Sequence, residues 1–497
     1  MSHPFFKIDE LLRLVIDELV ETGRRSAVSF ALTCRSFEEP TLSSLWKEQT
    51  SFLHLSMVLR GCTCLVNDYG YTVVVGGRVF PAHHIQYQLS QKTRQNHSAA
   101  DWARFQRYAS WMRGLDIGPD GAPTTDTLLR ISCNSSGGPL FPKLEWIYWD
   151  AYEADPVIPF FDIFLSPNLR RVTISTDPVL CNLPQGQVVA LARIISDLPI
   201  SLEDLFVKWD QGRESLLGDA ISSFVCQRGP SLRGFGTRTP LSEAAIHHLT
   251  QLPNLSHWVT FQGLPRVVST NIFPSLEKLR LDTDEALPWL HLLASHEKSI
   301  LPKGPASTTS HTNTGGTLKF LDCPRNTTID STLLSSIVKF RNLVTLRVRT
   351  AYCYGADSCT FRIADDDVRD LVTALPHLND LRLGRPCCSD TCNTTFASLV
   401  SISLHCPDLT ALEIHFNTRR IVRDVQRLFN GGAERDEAKC KLRSLSVGSI
   451  PLEVCKEDTQ TIVLGLKTIF PYLTDLDGYD GSWPMVMLKM KDRRRYC

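Results

Sequence analysis

The sequence carries no net charge and no long apolar run. Lysine and arginine together number 53, and so do aspartate and glutamate, so no overall electric field draws the molecule to nucleic acid or to a membrane surface. No segment approaches the roughly 18 consecutive apolar residues that are needed to span a bilayer. We therefore expect no nucleic-acid or membrane partner, and any electrostatic recognition has to be local.

A recognisable secretory signal and a cysteine framework are also missing. The apolar run near the N-terminus is interrupted by Arg13, Asp17 and Glu18, and no small-residue cleavage site follows it. The 16 cysteines are scattered without regular spacing. We therefore expect a reducing compartment, the cytoplasm or the nucleus, in which cysteines serve as small apolar core residues.

The familiar catalytic motifs do not occur. There is no Gly-x-x-x-x-Gly-Lys-Ser/Thr loop, no His-Glu-x-x-His and no Gly-x-Ser-x-Gly. The potential metal ligands are CCSDTC (387–392) with Cys353, Cys359 and Cys406, and Cys62 and Cys64 with His83 and His84. Neither group has the paired Cys-x-x-Cys spacing that is usual for zinc. We predict no catalytic residue, metal or cofactor, and an enzyme that uses the cysteine-rich loops is the alternative.

What the N-terminus does contain is a helix that is apolar on two faces. Asp9 can cap it. One face carries Ile8, Leu11, Leu12, Val15 and Leu19, and the other carries Leu14, Ile16 and Val20. A second helix is expected at about 26–34 with Val28, Phe30 and Leu32, and a third after Pro40 with Leu42, Leu45 and Trp46. Three short helices build little core alone, so the surplus apolar surface indicates a protein partner.

This stretch resembles an F-box over about residues 6–50. The matching residues are Ile8-Asp9-Glu10-Leu11-Leu12, Thr33-Cys34-Arg35-Ser36-Phe37 and Leu45-Trp46. Asp9 stands where the family usually has proline, which keeps the helix start and loses a rigid turn. The resemblance implies binding to the Skp adaptor and, through it, to the cullin of a ubiquitin ligase. The implied adaptor-binding residues are Ile8, Leu11, Leu12, Val15, Leu32 and Trp46.

A leucine pattern recurs through the rest of the chain. Copies of Leu-x-x-Leu-x-Leu start at residues 141, 166, 199, 252, 273, 340, 375, 406, 439 and 470, often after a proline, with weaker copies near 231 and 317. The spacing of about 30 residues is typical of leucine-rich repeats. Helical spacing between the copies, at 187–199, 216–229, 366–376 and 421–432, completes a strand–helix repeat. The prediction is an α/β solenoid, with parallel strands on a concave face and helices outside.

The sequence divides into four parts on this interpretation: an F-box (5–50), a connecting and capping segment (51–140), the repeat array (141–480) and a C-terminal tail (481–497). The connecting segment holds a hairpin about Gly76-Gly77 and an amphipathic helix at 101–115. This helix resembles the segment that follows the F-box in an expanded fungal F-box/leucine-rich group. Residues 300–317, rich in Ser, Thr, Gly and Pro, are expected to form a surface loop within one repeat.

The strand positions that face away from the helices are rich in arginine in the middle repeats. By the alternation rule, Arg280, Arg347, Arg349 and Arg382 lie there, as does His415 near the end of the array. Guanidinium groups suit carboxylates and phosphates, so an unknown target protein is expected to present an acidic or phosphorylated segment. The predicted function is substrate recognition for a Skp–cullin–F-box ligase without catalysis, and the alternative is a leucine-rich-repeat scaffold that does no ligase work.

Overall fold

The computed structural model describes residues 9–491. The segments 57, 59–62, 68–69, 76–77, 82–97, 119–124, 135–138, 152–157, 177–184, 209–214, 229–230, 262–272, 284–285, 297–316, 324–326, 351–359, 385–392, 418–419, 431–439, 449–455 and 479–482 are outside the description. The chain forms two compact units, unit 1 (1–245) and unit 2 (246–497). No helix in the described ranges combines the length and the hydropathy that a bilayer crossing requires.

Unit 1 begins with a module of three helices. These are α1 (Asp9–Thr22), α2 (Arg24–Thr33) and α3 (Arg35–Lys47). Cys34, in extended conformation (φ −152°, ψ 137°), separates α2 from α3, so α3 starts before Pro40 and contains it. The expectation that the third helix starts after Pro40 is wrong. Pro40 lies inside α3, which buries Phe37 before the proline and Thr41 after it, so packing of both turns holds the segment helical although proline removes one backbone hydrogen bond.

Parallel strands follow the module in unit 1. The strands β1 (Glu48–Gln49), β5 (Gly114–Ile117), β6 (Trp146–Ala151), β7 (Arg171–Thr176), β8 (Asp204–Lys208) and β9 (Gly234–Thr237) pair in that order. The helices are α4 (Leu53–Ser56), α5 (Ala99–Ala109), α6 (Thr125–Asn134), a 3₁₀ helix (Ile158–Phe164), α7 (Gln185–Asp197) and α8 (Ser215–Arg228), with α9 (Glu243–Gln251) at the division of the units. The sequence pattern found β6 to β9 and missed β1 and β5.

The segment between β1 and β5 contains the predicted hairpin. The strands β2 (Thr63–Asn67), β3 (Gly70–Val75) and β4 (Arg78–Pro81) pair antiparallel, with Val75 opposite Arg78. Helix α5 starts two residues earlier than predicted, at Ala99, because a capping box forms there. Ser98 Oγ accepts from the Asp101 amide, and the Ser98 amide donates to Asp101 Oδ2 at 3.3 Å. The helix buries Phe105 and Ala109.

Unit 2 repeats the strand–helix alternation. Its parallel strands pair in the order β10 (His257–Thr260), β11 (Lys278–Leu281), β12 (Phe320–Cys323), β14 (Thr345–Val348), β16 (Asp380–Leu383), β17 (Ala411–Ile414), β18 (Ser444–Gly448) and β19 (Asp475–Gly478). A separate short pair is β13 (Ile329–Asp330) with β15 (Phe361–Arg362). The helices are α10 (Ala286–His296), α11 (Ser331–Ile337), α12 (Asp365–Ala374), α13 (Phe396–His405), α14 (Ile421–Asn430), α15 (Lys456–Ile469) and α16 (Trp483–Lys491).

The leucines of the repeat pattern form the core of both units. The first leucine of every predicted copy is buried: Leu144, Leu169, Leu202 and Leu232 in unit 1, and Leu255, Leu276, Leu318, Leu343, Leu378, Leu409, Leu442 and Leu473 in unit 2. Each of these copies carries one of the parallel strands. The predicted leucine-rich-repeat fold is therefore confirmed, as is the three-helix module before it.

Candidate functional site

The three-helix module has a small apolar core of its own. Leu12, Ile16 and Phe37 are buried together, and Val20 and Phe30 pack against them. The rings of Phe30 and Phe37 are stacked, with centroids 4.6 Å apart. Leu12 is only 5% exposed. The sequence placed Leu12 among the adaptor-binding residues, and the structure makes it a core residue whose contribution to docking would act through the fold of the module.

Two helices of the module carry apolar side chains on their outer surfaces. Leu14 is 66% exposed on α1, and on α2 Val28 is 45% and Leu32 is 82% exposed. Leu11 and Val15 are half-buried and share the helical face of Leu14 through i, i+3 and i+4 spacing. We call these residues of α1 and α2 the docking face: Leu11, Leu14, Val15, Val28 and Leu32. Ile8 lies outside the described residues.

Leu14 and Val28 belong to this face although sequence reasoning did not assign them to adaptor binding. The signal was present, because Leu14 lies on the second apolar face of α1. The module buries Leu12 from one of the two predicted faces and Ile16 from the other, and it leaves Leu14 in solvent.

Trp46 contacts the segment that follows the module. Its ring stacks on Tyr108 of α5, with centroids 4.7 Å apart and ring planes 9° from parallel. Tyr108 in turn contacts Trp111, and the Arg107 guanidinium lies over the Trp111 ring at 4.9 Å. The adaptor-binding role of Trp46 stays a prediction, and the contact that the structure gives it is to α5.

The outward positions of unit 2 form a mixed row of charges. The strand register places Arg280, Asp322, Arg347, Arg382 and Glu413 side by side from β11 to β17. Asp322 and Asp380 were not expected from the arginine pattern. They lie at strand positions that the same alternation rule would have identified, so the acidic members of this face could have been found in the sequence.

Asp380 holds two of the predicted target-binding arginines. Its Oδ2 accepts from Arg347 Nη2 at 2.6 Å and from Arg347 Nε at 3.0 Å, and its Oδ1 accepts from Arg382 Nε at 3.0 Å. Arg347 also lies over the ring of Phe320 at 5.6 Å. These contacts fix the guanidinium planes and neutralise part of their charge.

The charges of Arg280 and Arg349 act on a second buried carboxylate, Asp322. Arg280 lies 3.6 Å from Asp322 and 3.6 Å from Asp282. Burial raises the pKa of Asp322, although the charges of Arg280, Arg349 and Arg347 oppose this rise. Arg349 forms no salt bridge with any residue that the structure describes. Of the predicted cations, Arg349 is therefore the least compensated.

His415 is not on the open strand face where the alternation rule placed it. It is 2% exposed and lies beside Phe361, with ring centroids 5.4 Å apart. This prediction is wrong because the alternation stops at the end of β17, where Ile414, His415 and Phe416 are buried in succession.

The core cysteines that the structure describes, Cys323, Cys406 and Cys440, are buried free thiols. In the ranges that the structure covers, no group of three or more His, Cys, Asp or Glu side chains is placed to hold a metal. Burial raises the pKa of Cys406 to about 12 and that of Cys440 to about 11, which keeps both thiols protonated at neutral pH. Cys353, Cys359, 387–392, Cys62, His83 and His84 lie outside the described residues, and of Cys64 only the backbone is described.

Comparison with known proteins gives structural neighbours at low similarity. No family model and no curated protein sequence matches the chain. A chain from the crystal structure of the yeast Rad7 and Elc1 complex is similar over 74% of this chain and 83% of its own length, with 14% identity and a TM-score of 0.34. A Bacteroides fragilis protein of known structure is similar over 71% of this chain and 93% of its own length, with 11% identity and a TM-score of 0.29.

Proposed function

We propose that this protein is the substrate-recognition subunit of a Skp–cullin–F-box ubiquitin ligase. The observation that carries the proposal is the docking face on the three-helix module, in which Leu14 and Leu32 are largely in solvent and Val28 is exposed over almost half of its surface. Together with the F-box resemblance of residues 6–50, this surface is suited to the Skp adaptor. The chain itself performs no catalysis in this proposal and works in the cytoplasm or the nucleus.

The exposed area sets the strength of such a complex. Complete burial of one fully exposed large aliphatic side chain contributes roughly 1.5–3 kcal/mol, and because several residues of the docking face are already partly buried, the face supplies on the order of 5 kcal/mol. Association costs are of a similar size. The aliphatic contacts alone therefore do not guarantee a tight complex, and removing two of the most exposed leucines is expected to abolish it.

Capture by recombinant Skp adaptor tests this proposal. We expect the Leu14→Asp/Leu32→Asp double variant to lose capture at least tenfold, because two buried charges would oppose the interface. Ile200→Asp is the matched control, since Ile200 is an exposed aliphatic residue (71%) in unit 1 and outside the module. Capture of the control should equal that of the parent.

Failure of the parent chain to bind the adaptor would contradict the ligase proposal and favour the scaffold alternative. Equal capture of the parent and the double variant would reject the docking face while leaving adaptor binding intact. Far-ultraviolet circular dichroism of each variant separates lost contact from lost fold, because Leu14 and Leu32 are solvent-exposed and their replacement should leave helix content unchanged.

For the repeat array, we propose that the outward strand face of unit 2 binds the target protein. Arg280, Arg347, Arg349 and Arg382 would meet an acidic or phosphorylated segment, and Arg349 would contribute most because it is least compensated. Ligase action then follows from proximity, since a bound target is held near a separately recruited conjugating enzyme.

Affinity purification under proteasome inhibition, with the parent and Arg349→Glu compared, tests the target site. The assignment of Arg349 to target binding would be supported if adaptor and cullin co-purify with both proteins and candidate targets co-purify with the parent only. Arg341→Glu is a suitable control because Arg341 is also an exposed arginine of unit 2, outside the strands. Equal binding of targets to the parent, Arg349→Glu and Arg341→Glu would contradict the assignment of Arg349 to target binding.

A further inference from the structure

A groove of about 500 Å³ lies in unit 1 where the module meets the first strands of the array. Helices α1 and α3 form one side through Arg13, Asp17 and Lys47, and the other side is formed by residues after α5 and before β6, including Arg113 and Lys143. The half-buried Trp111 supplies apolar surface, and the buried residues Leu12 and Ile16 lie beneath the groove. The volume is within the range of small-molecule sites.

Positive charge predominates around this groove. The lining contains Arg13, Lys47, Arg113 and Lys143 against two carboxylates, Asp17 and Glu39. Like charges on opposite walls repel one another unless an anion lies between them. These four cations come from segments that are distant in sequence, so their clustering around the groove results from the fold and does not reflect the pattern of one helix.

Neighbouring groups compensate only some of these charges. Arg113 Nη1 is 3.1 Å from Glu145, and Glu39 is 3.5 Å from Arg107. Asp17 accepts a hydrogen bond from Ser44 Oγ at 2.7 Å.

Three cations are left uncompensated: Arg13, Lys47 and Lys143 form no ion pair with any residue in the described ranges. All three are exposed, so an entering ligand can reach them. Two of them lie on the module and one lies on the array side of the groove.

We propose that this groove binds a small organic molecule that carries two or more phosphoryl groups. Lysine ammonium groups act as point charges toward phosphate, and the Arg13 guanidinium adds a fork of donors. The half-buried Trp111 side chain would contact the organic part of the ligand. A ligand of this size is favoured over a polypeptide because the cations surround one groove of limited volume. Bound there, it would link the module to the first strands of the array.

Titration of the full-length protein with tripolyphosphate tests the proposal, with inorganic phosphate as the shorter probe and ionic strength held constant. We expect tripolyphosphate to bind at least tenfold more tightly than phosphate and to raise the melting temperature in proportion to the logarithm of its concentration. The Lys47→Gln/Lys143→Gln double variant should bind tripolyphosphate at least tenfold more weakly.

The matched control is Lys278→Gln/Lys339→Gln, which removes the same total charge from unit 2. It should bind tripolyphosphate as the parent does. Equal weakening in both double variants would show non-specific attraction and overturn the proposal, as would absence of binding to the parent. Tighter binding of a phosphoserine peptide than of tripolyphosphate would also overturn it. Melting temperatures without ligand verify that each variant is folded. The titration uses no protein partner, so its outcome is independent of adaptor binding.

Discussion

Trp46 of the module and Tyr108 of α5 lie face to face, with ring centroids 4.7 Å apart. This stacked pair is one of several contacts that join the module to α5 and to the parallel sheet of unit 1. The Arg113 amide donates to the Lys47 carbonyl at 2.8 Å, and β1 pairs with β5 directly after α3. The aromatic pair therefore reports on whether the module is held against the array.

Loss of the Tyr108 ring should loosen the module. Tyr108→Ala removes the stacking partner of Trp46 and its contact with Trp111, and we expect a loss of about 2 kcal/mol in the free energy of unfolding of unit 1. Tyr108→Phe keeps the ring and should stay within about 0.5 kcal/mol of the parent. Hydrogen exchange of α3 gives the readout. Equal exchange in both variants would show that the stack does not hold the module.

Truncation of Leu12 should lower the stability of the module, whereas truncation of Leu32 should weaken adaptor capture and leave stability nearly unchanged. Leu12→Ala opens a cavity beside Ile16 and Phe37, and we expect it to cost about 2–4 kcal/mol in module stability. Leu32→Ala changes an exposed side chain and should cost less than about 0.5 kcal/mol while weakening adaptor capture. Chemical denaturation and capture, measured on both variants, separate core from docking face. A stable Leu12→Ala variant would contradict the described core.

Gly114 of β5 is close to the ring of Trp146 on the next strand. A Cβ at residue 114 would overlap the Trp146 ring, whereas a Cβ at Gly118 would meet nothing within 4 Å. We expect Gly114→Ala to lower stability by about 1–3 kcal/mol, because the indole has to move. Gly118→Ala should leave the melting temperature nearly unchanged. Similar melting temperatures for both variants would contradict the close approach.

Asp322 and Asp408 of unit 2 should affect the free energy of unfolding in opposite directions as the pH rises. Burial raises the pKa of Asp322, so the folded state binds this proton more tightly than the unfolded chain does. The loss of folding stability caused by ionised Asp322 is absent below the ordinary aspartate pKa of about 4. This loss grows as pH rises through the raised pKa of Asp322. The effect of Asp322→Asn on the free energy of unfolding should therefore become more favourable between pH 3 and pH 7.

Asp408 provides the control for this measurement. A hydrogen bond from Lys441 and the charge of that lysine lower the pKa of Asp408. Its stabilising contribution is present above a pH of about 4 and is lost as pH falls through the lowered pKa. Asp408→Asn should therefore be less stable than the parent at pH 7 and should approach it in acid. Parallel pH profiles for the two variants would contradict the assigned shifts.

The repeat strands were predictable because one physical requirement recurs in each copy. A leucine-rich strand has to bury its alternate side chains against the helix layer, so Leu346 and Val348 on β14 are buried while Arg347 between them is only half-buried. The spacing of leucines records this requirement directly. Helix α12, predicted at 366–376, is found at Asp365–Ala374 for the same reason, since Val368, Leu371 and Val372 form its buried face.

What the sequence did not show depends on contacts between distant segments. β1 has only Glu48 and Gln49, too short for any alternation, and it is a strand because β5 pairs with it. Trp46 could not be assigned to α5 without the position of Tyr108. In the same way, the charge of Arg347 is moderated by Asp380, which is 33 residues away in sequence and adjacent across the sheet.

The short strand after α3 has a mechanical consequence. Because Glu48 and Gln49 are already part of the sheet, no free linker separates the last helix of the module from the parallel sheet of unit 1. A protein bound to the module would therefore keep a fixed orientation relative to a protein bound to strands β5 to β9. The distance between a conjugating enzyme and a bound target would then depend on the shape of the target and on the subunits bound to the module. Rotation of the backbone at residue 47 would change this distance little.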